Sequence, residues 1–349
     1  MTSPDPGAWT PPPGWVPTPQ GWVPPEAVGA SSPVLEPVHE PVPYHRLLRT
    51  LPRYRSWKPL VAILLAAVYF VVLSVVIGVV LFLVGIATGA FRTDTLENLS
   101  ADVEALARID AASPISLAFA LTSIAVMLPA VQLALLTVRL DPAVQHSVAF
   151  GLRGRWLLTT LGPAVSVLAL NLGIAIVLSG VFTGEWLDAP STDVATFAVC
   201  AAIILALTPF QAAAEEYVFR GLLMQAIGAW IRFVPVALVV PTLLFASLHI
   251  YDIWGLIDVA IFGIAAAVVV WRTGGLEAAI SMHTVNNVTS FLLLASGVFG
   301  TTVNSVETAG PSGPAISLVT MTLWVLWILW LARRGGIARE GAWARARTP

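Results

Sequence analysis

The run LVAILLAAVYFVVLSVVIGVVLFLVGIAT, residues 60–88, holds no charged side chain. A helix rises 1.5 Å per residue, so about 20 apolar residues cross the ~30 Å hydrocarbon core of a bilayer. This run is long enough to cross. Seven more apolar stretches follow, at 116–138, 156–182, 194–214, 233–250, 254–271, 276–299 and 314–332. Lipid offers a peptide group no hydrogen bond, so each stretch has to satisfy its own backbone as a helix. The expected fold is therefore all-α: a polytopic membrane bundle of about eight transmembrane helices. Pro129, Pro163, Pro209 and Pro241 fall inside spans and are expected to kink them.

Composition agrees with this reading. Of 349 residues, 57% are hydrophobic and only 11% charged, and the mean hydropathy is +0.83. Soluble domains carry about a quarter of their residues as charges, so the chain is a membrane protein. A net charge of -2 gives no reason to expect a nucleic-acid partner. With one cysteine, Cys200, no intramolecular disulfide and no cysteine-based zinc cluster can form. No cleavable signal peptide is expected, because no short apolar core follows a charged start. The oligomeric state is not legible in the sequence.

Residues 1–45 are rich in Pro, Gly and Trp, with a near-repeat of Gly-Trp-Val-Pro at 14–17 and 21–24. No period in this segment would bury a core, so it is expected to be a disordered cytoplasmic tail. Residues 46–190 then hold a basic juxtamembrane segment and three helices. Residues 191–300 form the polar-studded core, and 301–349 the last helix and a basic tail. If the amino terminus is cytoplasmic, sixteen of the eighteen basic residues lie inside, leaving only Arg92 and Arg108 outside. Both termini are therefore expected in the cytoplasm.

Ionisable residues inside spans are costly and mark functional sites by default. Here they gather in three places: Glu215, Glu216 and Arg220; His249; and His283 with Asn286 and Asn287. Side chains four apart share a helix face, so Glu216 lies under Arg220 and can pair with it. Glu215 is turned about 100° away and has no local ion partner, which leaves it as a candidate general base or acid. His283 and Asn287 project together, and paired donors of that kind suit an oxyanion. For Asn286, interhelical hydrogen bonding is the better reading. Asp258 and Glu277, the latter beside Arg272, read as structural.

These motifs resemble the CAAX protease and bacteriocin-processing family of intramembrane proteases, which includes the type II CAAX prenyl endopeptidases. The resemblance rests on Glu-Glu-x-x-x-Arg at 215–220, Phe-x-x-x-His at 245–249 and His-x-x-x-Asn at 283–287, in order on successive spans. It covers about residues 190–300. It implies an endopeptidase in which Glu215 activates water with help from His249, while His283 and Asn287 hold the oxyanion. Glu216 and Arg220 would support the first helix. No cofactor is needed on that mechanism, although Glu215, His249 and His283 could instead form a zinc set with an open position, as in a metalloprotease. The implied substrate is a membrane-associated protein or peptide met in the bilayer. An inactive scaffold or receptor, or a transporter, would use the same polar cluster without hydrolysis.

Overall fold

The computed structural model describes residues 12, 13, 15–18, 21–23, 35–37, 40–107, 109–184, 186–304 and 310–346. Eleven α-helices form the body among them. They are α1 (Lys58–Ala87), α2 (Leu96–Ala107), α3 (Pro114–Ala125), α4 (Met127–Thr137), α5 (Gly154–Phe182), α6 (Val194–Glu216), α7 (Met224–Trp230), α8 (Val234–Ser247), α9 (Ile253–Thr273), α10 (Glu277–Ser296) and α11 (Ser312–Arg334).

Each of the eight apolar stretches is helical, the one at 116–138 as two helices, α3 and α4. Six are long and apolar enough to cross a membrane, counting α3 with α4 and α6 with α7 as single spans. The other two stretches are different in kind. Helix α8 has 14 residues, about 21 Å at 1.5 Å per residue, and α10 carries Glu277, His283, Asn286 and Asn287. Both line the site described below. The chain is an integral, multi-pass membrane protein. Its outer helices show the lipid-facing pattern: α1 buries only Pro59, Ala62, Ala66 and Gly85.

The prolines act unequally. A break at Val126 separates α3 from α4 one turn before Pro129, whose missing N–H leaves the Ala125 carbonyl without its helical donor. Helices α5, α6 and α8 run on through Pro163, Pro209 and Pro241. The span expected at 194–214 does not stop there. It continues as a π-helical turn over Tyr217–Leu223 and then as α7. The loop that follows α4 braces this wider turn. Gln145 is buried and its Nε2 donates to the Tyr217 carbonyl at 3.5 Å, while Gln225 Nε2 donates to Val144 O at 2.9 Å.

Most of the Pro-rich tail expected to be disordered lies outside the described residues. Within it, β1 (Val16–Thr18) and β2 (Gly21–Val23), on the near-repeat, pair antiparallel. The tail's last two residues depart from the expectation. Tyr44 and His45 are buried in a 3-10 helix over Tyr44–Thr50 that packs on α7. Gly228 of α7 lies against the His45 carbonyl, where a Cβ would collide. The two chain ends meet at this same end of the bundle. Strand β3 (Leu35–Pro37) pairs with β6 (Ala344–Ala346), β4 (Val42–Pro43) pairs with β5 (Glu340–Gly341), and Trp343 N donates to Thr50 Oγ1 at 3.2 Å.

Candidate active site

The centre of the site is the contact between the end of α6 and the first half of α10. Glu215 and Glu216 close α6, and the π-helical turn that follows carries Arg220. A π turn holds an extra residue and recurs at functional sites. Arg220 Nη1 donates to Glu216 Oε1 at 2.9 Å, as the four-residue spacing predicts, and its Nη2 donates to the Gly263 carbonyl of α9 at 3.1 Å. Its guanidinium also lies over the Phe245 ring, 4.5 Å from the centroid.

His283 comes in from α10 and joins the two glutamates. Its Nδ1 is 2.8 Å from Glu216 Oε1 and its Nε2 is 3.1 Å from Glu215 Oε2. Ionised carboxylates only accept hydrogen bonds, so the imidazole donates at both ends. Two carboxylates, one guanidinium and one imidazolium then sum to zero charge. That balance lets four ionisable groups be buried together, Glu216 at 0% exposure and Glu215 at 9%.

A chain of amides extends the centre. Gln211, one turn before Glu215 on α6, donates from Nε2 to Glu215 Oε2 at 2.9 Å. Its Oε1 accepts from Asn287 Nδ2 at 3.0 Å, and Asn287 Oδ1 in turn accepts from Asn286 Nδ2 at 3.0 Å. The acceptor-only carboxylate sets the direction of every amide in this chain. Gln211 is a residue the sequence reading missed. The signal was present, since a glutamine four residues from Glu215 in an apolar span shares its face. Asn286, expected to bond between helices, bonds instead to its neighbour Asn287 within α10, which it orients.

Of the expected site residues, Glu215, Glu216, Arg220, His283 and Asn287 are brought together. His249 is set apart. It follows α8, its Nδ1 is 2.8 Å from the Phe245 carbonyl, and its ring lies 4.7 Å from the Phe245 ring, which is itself 6.0 Å from the His283 ring. A carbonyl only accepts, so Nδ1 carries a proton. Among the described residues no hydrogen bond joins His249 to Glu215 or His283.

The donor set does not fit zinc. Both nitrogens of His283 are engaged by carboxylates, and among the described residues no group of three His, Cys, Asp or Glu side chains is arranged to hold a metal ion. The metalloprotease expectation is not supported by this geometry. The expected neighbour of Glu277 also changes. Its partner is Arg153, with Nη2 to Oε2 at 2.7 Å, and Arg272 instead stacks on Trp271. Asp258 lies on α9, and among the described residues its Oδ1 has no hydrogen-bond partner.

Helices that span a membrane around a buried, charge-balanced acid–imidazole centre define a multi-pass membrane protein with an intramembrane polar site. Residues 195–289 match the family model described as Type II CAAX prenyl endopeptidase Rce1-like. The match takes in α6 to α10 and so contains Glu215, Glu216, Arg220, His249, His283 and Asn287. At the level of the family this segment is similar to a protease, a hydrolase. No curated protein and no solved structure matches the chain.

Proposed function

We propose that the protein is an intramembrane endopeptidase that hydrolyses a peptide bond with a water molecule activated by Glu215. The observation that carries this reading is the pair of contacts on Glu215 Oε2, from Gln211 and His283. They fix the carboxylate and leave Oε1 to water. As Glu215 Oε1 takes the water's proton, the hydroxide adds to the scissile carbonyl carbon and negative charge collects on the carbonyl oxygen. Glu215, now neutral, holds His283 Nε2–H less strongly, so that hydrogen turns to the oxyanion. The second Nδ2 hydrogen of Asn287 is the other donor. His249 is the residue we assign to orienting the attacking water, through Nε2. The proton held by Glu215 then passes to the leaving amine. Glu216 and Arg220 keep His283 in place and balance its charge.

No step in this scheme uses a metal. The substrate is a membrane-associated protein or peptide that reaches the site from the bilayer, and both chain ends lie in the cytoplasm. In support of that orientation, the described parts of the two ends pair at one end of the bundle, near the basic residues Arg46, Arg49, Arg153 and Arg334.

The test is cleavage of membrane peptides by the purified chain and by Glu215→Gln. Peptides that accumulate only with the variant identify substrates. Wild-type turnover in Glu215→Gln would remove the assignment. Equal, undetectable cleavage by both proteins on every membrane peptide offered would favour a scaffold.

A further inference from the structure

We infer that the cavity between the start of α5 and the end of α11 is a binding site for the phosphate of an anionic phospholipid. This cavity measures ≈ 400 Å³ and is lined by Arg155, Trp156 and Thr159 of α5 with Leu331, Arg334 and Ile337 from α11 and the segment after it. It lies away from the glutamates and does not depend on the hydrolase reading.

Four observations converge on this ligand. First, Arg155 and Arg334 are exposed and, among the described residues, neither meets a carboxylate. Two free guanidiniums on one cavity are charge-complementary to a phosphate diester, which they can grip through paired N–H groups. Second, Arg155 and Trp156 belong to the first turn of a 29-residue helix, the end at which the helix dipole favours an anion. Third, the remaining walls are apolar. Trp156 belongs to a buried apolar cluster against which the partly buried Leu331 and Ile337 pack, and among the described residues the indole N–H of Trp156 has no partner. A free phosphate ester gains nothing from such walls, whereas the glycerol and first methylenes of a lipid do. Fourth, the depth is right. The cavity sits where α5 begins and α11 ends, at the membrane boundary, with Trp330 beside it under the Arg334 guanidinium at 4.1 Å.

A second cavity at the same end of the bundle, ≈ 490 Å³, also holds two arginines, Arg53 and Arg139, with Trp343. Asp141 stands in its wall and repels an anion, so this cavity serves as the comparison.

The experiment measures lipid retention by the full chain in detergent micelles, using native mass spectrometry. Phosphatidylglycerol is expected to bind about tenfold more tightly than phosphatidylcholine, and Arg155→Gln with Arg334→Gln is expected to abolish that preference. Arg53→Gln with Arg139→Gln should change it less than about twofold. These arginines are surface residues, so both variants should fold, and matching melting temperatures will show that they do. Equal retention of the two lipids would overturn the proposal, as would an equal loss in both arginine pairs, which would mean diffuse attraction. Glycerol 3-phosphate is expected not to compete. Competition at concentrations equal to the lipid's would make the ligand a free phosphate ester and overturn the lipid assignment.

Discussion

Glu277 and Glu216 are both fully buried and both rest on an arginine, yet they are finished differently. Glu277 is closed. Its Oε1 accepts from the backbone N and Nε of Arg153 at 2.9 and 2.8 Å, and its Oε2 accepts from Nη2 at 2.7 Å. The remaining Arg153 nitrogen, Nη1, serves the carbonyls of Thr273 and Ala338. Glu216 is open. Arg220 and His283 share its Oε1, while its Oε2 and the Arg220 Nε have no partner among the described residues. A satisfied ion pair ties α5, α9 and the carboxyl-terminal segment together at one end of the bundle. An unsatisfied one keeps donors and acceptors in reserve beside Glu215, the residue we propose as the base. The first arrangement suits a joint and the second a reaction centre.

Removing Glu215, the proposed base, should break the comparison most severely. Glu215→Gln keeps the shape of the side chain and an oxygen for Gln211, so the melting temperature should stay within a few degrees. Turnover should fall by about 10⁴-fold, the upper range for losing a positioned base. A stable variant with no activity would separate the two ends of the molecule cleanly, because no change at Glu277 should give that outcome.

At the joint the expectation reverses. Arg153→Leu leaves the Glu277 carboxylate buried without its counter-charge, a loss of about 3–5 kcal/mol for a broken buried pair. The yield of folded protein and its thermal midpoint should drop together. Whatever folded protein remains should cleave at near wild-type rate per molecule. If Arg153→Leu is stable but inactive, the division between joint and reaction centre is wrong.

A smaller effect is expected from the amide chain. Gln211→Leu removes the donor to Glu215 and the acceptor that orients Asn287. We expect kcat to fall about 10–100-fold with KM little changed, the mark of an interaction made in the transition state. Gln211→Glu sharpens this test. It keeps an acceptor for Asn287 but can donate to Glu215 only when protonated, so its activity should recover as pH falls. A flat pH profile with a raised KM would make Gln211 a packing residue.

These contrasts also show which parts of the molecule sequence could reveal. The eight apolar stretches were legible because a lipid-facing helix has to be apolar along its length. The Glu216–Arg220 pair was legible because four-residue spacing is a local rule. The link from His283 to both glutamates depends on where α10 crosses α6, a tertiary fact 67 residues distant in sequence. For the same reason Glu277 could be read only as a structural residue in the Arg272 turn, and its partner, Arg153, lies 124 residues away. The π-helical turn at Tyr217–Leu223 has no sequence period of its own, and its brace, Gln145, comes from a loop on the far side of α5 in the chain. Hydropathy also could not tell a span from a short wall, which is why α8 looked longer than its 14 residues.

The smallest expected effect is a pH dependence at the end of the bundle that holds the joint. His45 is buried where the 3-10 helix packs on α7, and among the described residues neither ring nitrogen has a hydrogen-bond partner. Burial, helped by the positive charge of Arg46, lowers its pKa from 6.5 to about 4. Between those two values the unfolded chain binds a proton that the folded chain refuses, so the unfolded state gains as pH falls. Stability from this group is whole above about pH 6.5 and declines toward pH 4. The thermal midpoint in detergent should therefore drop between pH 7 and pH 5, and His45→Phe, which fills the same space without titrating, should flatten much of that slope. Cleavage at the Glu215 centre should be no less active in the phenylalanine variant at pH 7, because among the described residues no hydrogen bond joins the His45 ring to Glu215 or Glu216. An unchanged slope in His45→Phe would move the acid-sensitive group elsewhere, with His146 the next to test, since burial lowers its pKa too.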